Sequence, residues 1–263
     1  MSETLILGTS GKGGTGKTTF TALLLNLLRK SDKYQENGIL VIDADPDTNL
    51  PTLIGHNVAR ADTIGGYASI LKERISSGSL PPTIDKQKLL EGKVFERIIE
   101  ADDFSYDLLT MGRHEGEGCY CFINSLLTGI LDTYVKGYDL VLMDLEAGLE
   151  HLSRRTSSNV DIMFIITDPS KMGLETAKRI KELSDEVLIE FDKLYLVGNK
   201  FTEKMRDRLE KYANEIKVDD FTIIPYDEKI AEFNFEGKSL FNIDENSSAL
   251  NAVRDFAHKI GIL

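Results

Sequence analysis

The sequence predicts one α/β domain over residues 1–263, with a mainly parallel β-sheet covered by helices on both faces. Three observations predict it. Short aliphatic runs alternate with stretches of helical periodicity along nearly the whole chain, the pattern of repeated strand and helix crossovers. Two of the aliphatic runs end in acid, at Asp43 and Asp144, and loops at the C-terminal ends of strands are where open parallel sheets bind ligands. A glycine-rich segment, Gly11 to Gly16, joins the first aliphatic run to the first helix.

Taken in order, Thr4 to Thr9 is short and aliphatic enough for a buried strand, and Thr18 to Arg29 carries apolar residues at helical spacing. Gly38 to Ile42 is a second strand, closed by Asp43, Ala44, Asp45 and Pro46. Helices are predicted over Asp62 to Arg74 and Asp85 to Ile99, with a surface loop from Ser77 to Pro82 that need not divide domains. Tyr106 to Met111 reads as a strand, Phe122 to Val135 as a helix and Tyr138 to Met143 as a strand. The alternation continues with strand Ile162 to Thr167, helix Leu174 to Ile189, strand Leu194 to Val197, helix Glu203 to Ile216 and strand Phe221 to Ile224. The last helix, Ser247 to Ile260, gathers Leu250, Val253, Phe256, Ala257 and Ile260 on one side. A membrane-surface helix would need more basic residues on its polar side, so this one is read as packing on the core. There is no internal repeat and no low-complexity tract.

Composition narrows the function classes. The chain carries 43 acidic against 31 basic residues, which disfavours a surface for nucleic acid. No apolar run reaches the roughly 20 residues of a bilayer span, and the N-terminus does not read as a signal peptide, so the expectation is a cytoplasmic protein without a membrane partner.

Gly11, Lys12, Gly13, Gly14, Thr15, Gly16, Lys17, Thr18 and Thr19 follow a strand and open a helix, the context that a phosphate-binding P-loop requires. Glycines let successive N–H groups close around a phosphate, and the helix N-terminus adds partial positive charge. Lys17 is expected at the β- and γ-phosphates, and Thr18 at Mg²⁺. The fold class is then a P-loop NTPase domain.

Lys12 has no place in the ordinary motif. The stretch from Lys12 to Thr18 resembles the deviant Walker A ATPases, which include the nitrogenase iron protein, Min and Par ATPases and metallocentre maturation ATPases. That resemblance implies a homodimer in which Lys12 crosses to the partner's nucleotide, acting in trans much as an arginine finger does.

Phosphoryl transfer also needs carboxylates for the metal shell and for the attacking water. Asp144 follows Tyr-Asp-Leu-Val-Leu-Met, the Walker B position. The same resemblance makes Asp45 the residue that positions water, with Asp43 supporting Mg²⁺. The segment Leu145, Glu146, Ala147, Gly148, Leu149, Glu150 and His151 resembles switch II. Asn199 and Lys200 end a strand where an amide could read an adenine edge, and the family also uses the loop matching Pro225, Tyr226 and Asp227. Thr202 stands where a guanine-binding Asn-Lys-x-Asp motif would carry its acid, so ATP/ADP is expected rather than guanine nucleotides.

Cys119 and Cys121 are the chain's two cysteines, and ATP chemistry needs neither. On spacing alone they could be small buried hydrophobes or metal ligands. In extended backbone, thiolates at i and i+2 share a side, and a two-fold dimer would gather four of them. Cys-Tyr-Cys after Met-Gly-Arg and before Phe-Ile-Asn-Ser-Leu-Leu, with Asp-Leu-Glu-Ala-Gly-Leu-Glu-His further on, resembles the CooC-type ATPases that assist nickel insertion into carbon monoxide dehydrogenase. The resemblance implies Ni²⁺ or Zn²⁺ on Cys119 and Cys121 at a homodimer interface. The implied client metalloenzyme is carbon monoxide dehydrogenase, or acetyl-CoA synthase in a related variant. His114 and His151 lack metal-type spacing and are left out of that site. An iron–sulfur carrier and a Min- or Par-type spatial organiser are the competing readings; the first fits the cysteine spacing poorly, and the second leaves the cysteines unexplained.

Overall fold

A computed structural model of the chain describes residues 4–81, 83, 89, 92, 94–101, 105–113, 135–146, 160–186 and 191–263. Its eight strands are β1 (Leu5–Gly11), β2 (Ile39–Asp43), β3 (Ile99–Glu100), β4 (Asp107–Thr110), β5 (Leu140–Asp144), β6 (Val160–Thr167), β7 (Phe191–Asn199) and β8 (Asp220–Ile224). They form a single sheet in the order β3-β4-β2-β5-β1-β6-β7-β8. Every described pair is parallel except β3 with β4, so the predicted α/β class holds. β1 lies between β5 and β6, with β2 one strand further out. The P-loop and both acidic strand ends therefore share one end of the sheet.

The helices among the described residues are α1 (Lys17–Leu28), α2 (Leu50–Ile54), α3 (Ile64–Ser76), α4 (Lys171–Glu186), α5 (Arg206–Ile216), α6 (Glu228–Glu236) and α7 (Ser248–Lys259). Alternating strand residues feed two cores. Leu7, Val41, Leu142 and Phe164 pack with α1, α2, α6 and α7, whereas Ile6, Ile42, Met143 and Ile165 pack with α3, α4 and α5. The period of two along each strand produces this division. Helix α1 is buried almost all round from Phe20 to Leu28, because it lies between the sheet and α2 and α7. Such a helix needs apolar residues on every side, which explains its Leu-rich sequence.

Several boundaries differ from the sequence reading. β1 runs on through Gly11, paired with Ile166 of β6, so the strand reaches the edge of the P-loop. Of the helix expected over Asp85 to Ile99, the residues before Val94 other than Leu89 and Gly92 lie outside the described residues; at its far end Phe95–Arg97 form a 3-10 turn, and Ile99 pairs antiparallel with Leu108. Edge-strand pairing overrides helical spacing there. Of the helix expected over Phe122 to Val135, all but Val135 lies outside the described residues, and Val135 opens a 3-10 turn. Glu203–Met205 likewise form a 3-10 turn ahead of α5.

Two helices escaped the periodicity argument. α2 has only five residues, too few to display a period, although Pro51 at its start and Gly55 at its end are ordinary boundary signals. α6 is announced by its caps rather than its pattern: Asp227 at the N-cap and Gly237, with φ 66°, at the C-cap.

Candidate nucleotide site

The P-loop turns between β1 and α1. Both the N–H and the hydroxyl of Thr15 donate to the Lys12 carbonyl, at 3.2 and 2.7 Å, which folds the loop back on itself. Gly16 caps α1 with φ 95°, and no acidic residue stands in the first turn, so the N–H groups at this end are not met by a side-chain anion. Gly16 is required twice over. Its φ is left-handed, and a Cβ there would stand 2.2 Å from Asn199 Nδ2.

Asn199, at the end of β7, donates through Nδ2 to the Thr15 carbonyl at 2.7 Å. Its amide is thus tied to the P-loop itself. Beside it lies a cavity of about 170 Å³, lined by Gly16, Thr19, Asn199, Lys200, Pro225, Tyr226 and Asp227 and floored by Phe20, Leu23, Ile224 and Ile230. The structure brings together here all five residues that the sequence placed around a base. The aromatic and aliphatic floor was not singled out, because its residues read as ordinary helix and strand core. Tyr226 is 58% exposed at the mouth, and Lys200 takes a left-handed φ of 61° as the chain leaves β7.

Asp227 lines this cavity, but its carboxylate is occupied. Oδ1 accepts from the Lys229 and Ile230 N–H groups at 3.0 and 3.4 Å. Oδ2 accepts from Ser247 Oγ, Ser248 Oγ and Ala249 N at 2.8, 3.1 and 3.3 Å. Burial pushes its pKa up, yet the donors from Ser247, Ala249, Ser248 and Ile230 outweigh that and hold it below the usual carboxylate range. One side chain thus holds the starts of α6 and α7. Asp227→Ala should cost about 2 kcal/mol from the loss of two helix-start anchors. In urea denaturation the midpoint should fall, and Asp227→Asn should recover part of the loss; an unchanged alanine midpoint would contradict this reading.

The acids converge at the other side of the loop. Asp43 and Asp144 are fully buried and directly in register on adjacent strands, and Asp144 is in register with Thr9 of β1. Asp144 Oδ1 accepts from Thr9 Oγ1 at 3.1 Å and Thr21 Oγ1 at 3.3 Å. Burial pushes its pKa up to about 6, against the opposing pull of the Thr18 hydroxyl, the Lys17 ammonium and the Thr9 hydroxyl. Asp43 is driven well above the carboxylate range by burial first and by the Asp144 charge second. Its Oδ1 accepts from the Asp45 N–H at 3.2 Å, anchoring the loop after β2. Thr9 and Thr21 were missed by the sequence reading; a hydroxyl recurring within otherwise apolar runs was their only signal.

Lys17 is 6% exposed, and its Nζ lies 3.7 Å from Asp45 Oδ2. Asp45 Oδ1 accepts from the Asp47 N–H at 3.0 Å, and Asp47 is paired with Arg113 at 3.0 Å. Lys12 is half-buried beside the exposed Gly13 and Gly14, and among the described residues its ammonium has no ion-pair partner.

Asp45 and Asp144 thus face one ammonium, Lys17, with Asp43 beside both acids, and among the described residues the Oδ2 atoms of Asp43 and Asp144 are buried without a hydrogen-bond partner. Buried acceptors left over in a site with excess negative charge suit a divalent cation. No three His, Cys, Asp or Glu side chains among the described residues form a metal cage on their own. Mg²⁺ ordinarily takes one or two carboxylates together with substrate phosphates and water, so this donor set fits it. Cys119, Cys121, His114, His151 and the switch II residues from Ala147 to Glu150 lie outside the described residues.

This arrangement has counterparts among known proteins. The family model for the CobQ/CobB/MinD/ParA nucleotide binding domain matches residues 6–240. The chain belongs to this family. An uncharacterized ATP-binding protein of Methanocaldococcus jannaschii is 44% identical over 256 residues, covering 97% of this chain and 98% of that protein. The carbon monoxide dehydrogenase accessory protein CooC of Rhodospirillum rubrum is 30% identical over 271 residues, covering 97% and 94%. Among solved structures, the ParA family ATPase of Chlorobium tepidum superposes with a TM-score of 0.71 at 18% identity, covering 99% of this chain and 100% of that one. MinD of Pyrococcus horikoshii, solved with Mg-ADP, gives 0.65 at 20% identity, covering 98% and 96%. At these identities the two structures speak for the CobQ/CobB/MinD/ParA fold alone. Among the described residues no helix is long and apolar enough to cross a membrane.

Proposed function

We propose that this protein is a cytoplasmic ATPase that dimerises around ATP and serves metallocentre maturation by assisting nickel insertion into carbon monoxide dehydrogenase or metal loading of acetyl-CoA synthase. The observation that carries the ATPase part is the convergence of Lys17, Asp43, Asp45 and Asp144 beside an N-terminal helix end with no acidic side chain of its own. In this reading Lys17 and the N–H groups from Gly13 to Thr19 hold the β- and γ-phosphates. The base enters the cavity between Asn199, Lys200, Pro225 and Tyr226, and Asp227 contributes wall and rigidity rather than a free carboxylate.

Thr18, Asp144 and Asp43 would hold Mg²⁺, which neutralises phosphate charge and acts as a Lewis acid when bound. Asp45 orients the water that attacks the γ-phosphorus; the bond to the β,γ-bridging oxygen breaks and ADP leaves. Lys12 stands at the rim, free to reach a partner's nucleotide, and supplies positive charge there in the dimer.

The maturation part is supported by the similarity to CooC across nearly the whole chain and by Cys119 and Cys121, which an ATPase alone does not need. Soft thiolates suit a nickel or zinc cargo, and four of them from two chains would tie its capture to nucleotide-driven dimerisation. The test is an anaerobic titration of metal-free protein with Ni²⁺ and Zn²⁺, with and without ADP or ATP, read by thiolate-to-metal absorption and native mass. One metal per dimer, dependent on nucleotide and lost in Cys119→Ser/Cys121→Ser, is the expected result. Absence of any thiolate-bound metal would remove the maturation role and return a Min- or Par-type organiser to first place, to be sought as lipid- or DNA-stimulated hydrolysis.

A further inference from the structure

At the C-terminal ends of β4, β2, β5 and β1 the sheet register sets four polar residues side by side: Thr110 against Asp43, Asp43 against Asp144, and Asp144 against Thr9. All four lie on the α1 face. Each follows, at the strand period of two, a residue of the core beneath α1: Leu108, Val41, Leu142 and Leu7. Below the row the same four strands present aliphatic side chains on this face, so a polar row four strands wide is costly unless its members satisfy one another or a ligand.

The row is satisfied at one end only. Thr9 donates to Asp144 Oδ1, with Thr21 behind it. At the other end Thr110 is 1% exposed, and among the described residues its hydroxyl has no hydrogen-bond partner; nor have the Oδ2 atoms of Asp43 and Asp144. A hydroxyl is both donor and acceptor, whereas an ionised carboxylate only accepts. Thr110 is therefore the outermost member of the row able to give Asp43 a proton-donating contact. Adjacent strands lie about 4.8 Å apart, a gap that a threonine spans by rotation about χ1 or through one bridging water molecule.

We infer that Thr110 is a positioning residue of the nucleotide site, whose hydroxyl donates to Asp43 and fixes the direction in which its carboxylate faces the metal position, from the strand beyond. It mirrors what Thr9 does for Asp144, so the two buried acids would be braced from opposite sides. The consequence falls on the cation rather than on the nucleotide. The phosphates are held by the P-loop, on the far side of Asp144 from Thr110. The inference rests on the nucleotide-switch reading above, but it assigns a residue that neither the P-loop motif nor the acidic strand ends point to.

The test uses the full chain with a fluorescent, non-hydrolysable ATP analogue. It measures the Mg²⁺ concentration for half-maximal analogue binding and, separately, the affinity in EDTA. Thr110→Val, which keeps the shape and removes the hydroxyl, should raise the Mg²⁺ requirement about tenfold and leave the EDTA affinity within twofold, since a hydrogen bond to a charged group is worth roughly that factor. Thr110→Ser should restore the wild-type titration. Thr110→Ala, which removes the hydroxyl without adding bulk, answers the same question should the valine variant fail to fold. An unshifted Mg²⁺ titration in the hydroxyl-free variant, or equal losses with and without Mg²⁺, would overturn the role of Thr110 alone. A wild-type protein that bound the analogue with no dependence on Mg²⁺ would overturn it together with the reading on which it rests.

Discussion

Lys17→Ala should weaken ATP-analogue binding by at least about 100-fold. Lys17 is buried at the base of the P-loop, and no other ammonium among the described residues is buried. Two charge-assisted contacts, to the β- and γ-phosphates, at about 1.5 kcal/mol or more each, account for a loss of that size, with about 1.4 kcal/mol per tenfold. A second effect points the same way. Lys17 offsets Asp45 at 3.7 Å and lowers the pKa of Asp144, so its removal leaves a triphosphate facing these carboxylates without the one buried ammonium among the described residues. Fluorescence titration measures the affinity, with circular dichroism verifying the fold. Binding within threefold of wild type would mean that the loop does not hold phosphate as proposed.

Asp45→Ala should do the opposite to occupancy while stopping turnover. With the carboxylate gone, Lys17 has no acid to leave when phosphate arrives, so affinity for ATP should be equal to wild type or tighter. The attacking water would lose its orienting group, and hydrolysis should fall at least about 100-fold, in the range for loss of a positioned general base. Because the ATP-bound state is the closed one in this reading, the variant should accumulate as dimer. Phosphate release and light scattering with ATP give both measurements on one sample. An Asp45 variant that hydrolyses at the wild-type rate would remove Asp45 from the chemistry. One that stays monomeric with ATP bound would separate dimerisation from nucleotide occupancy.

The contrast between the two variants follows from a geometry in which Lys17 of the loop and Asp45 lie 3.7 Å apart. Asp45 is tied to Asp43 through its N–H, and to Asp47 through its Oδ1. Asp47 in turn pairs with Arg113, at the last described position before the segment that carries the two cysteines. Both partners in that outer pair are well exposed, and exposed pairs contribute little to stability. Through Asp47 these contacts link Asp45 to Arg113.

The P-loop was legible because its defining residues are consecutive. A short apolar strand, glycines where the backbone must turn, a lysine and a hydroxyl at the helix start announce it, although the distant Asn199 also helps to hold it. The acids at Asp43 and Asp144 were legible for the same reason, since an aliphatic run ending in acid needs no partner to be recognised. α6 could have been read from Asp227 and Gly237, but a helix of mixed polarity leaves little period to find. The helix predicted to reach Ile99 failed because pairing with Leu108, nine residues on, decided that residue's conformation.

By itself the sequence determined the α/β class, the glycine-rich loop with its lysine and the acidic strand ends, since each depends on periodicity or on backbone conformation within a few residues. Only the tertiary structure decided that Asn199 grips the P-loop from 184 positions away, that Asp227 spends its carboxylate on two helix starts, and that Thr110, Asp43, Asp144 and Thr9 stand in one buried row. Strand order and register are set by the packing of the entire sheet between its two helical layers. No local stretch of sequence states which strand will be whose neighbour, and the interactions at issue are those between neighbours.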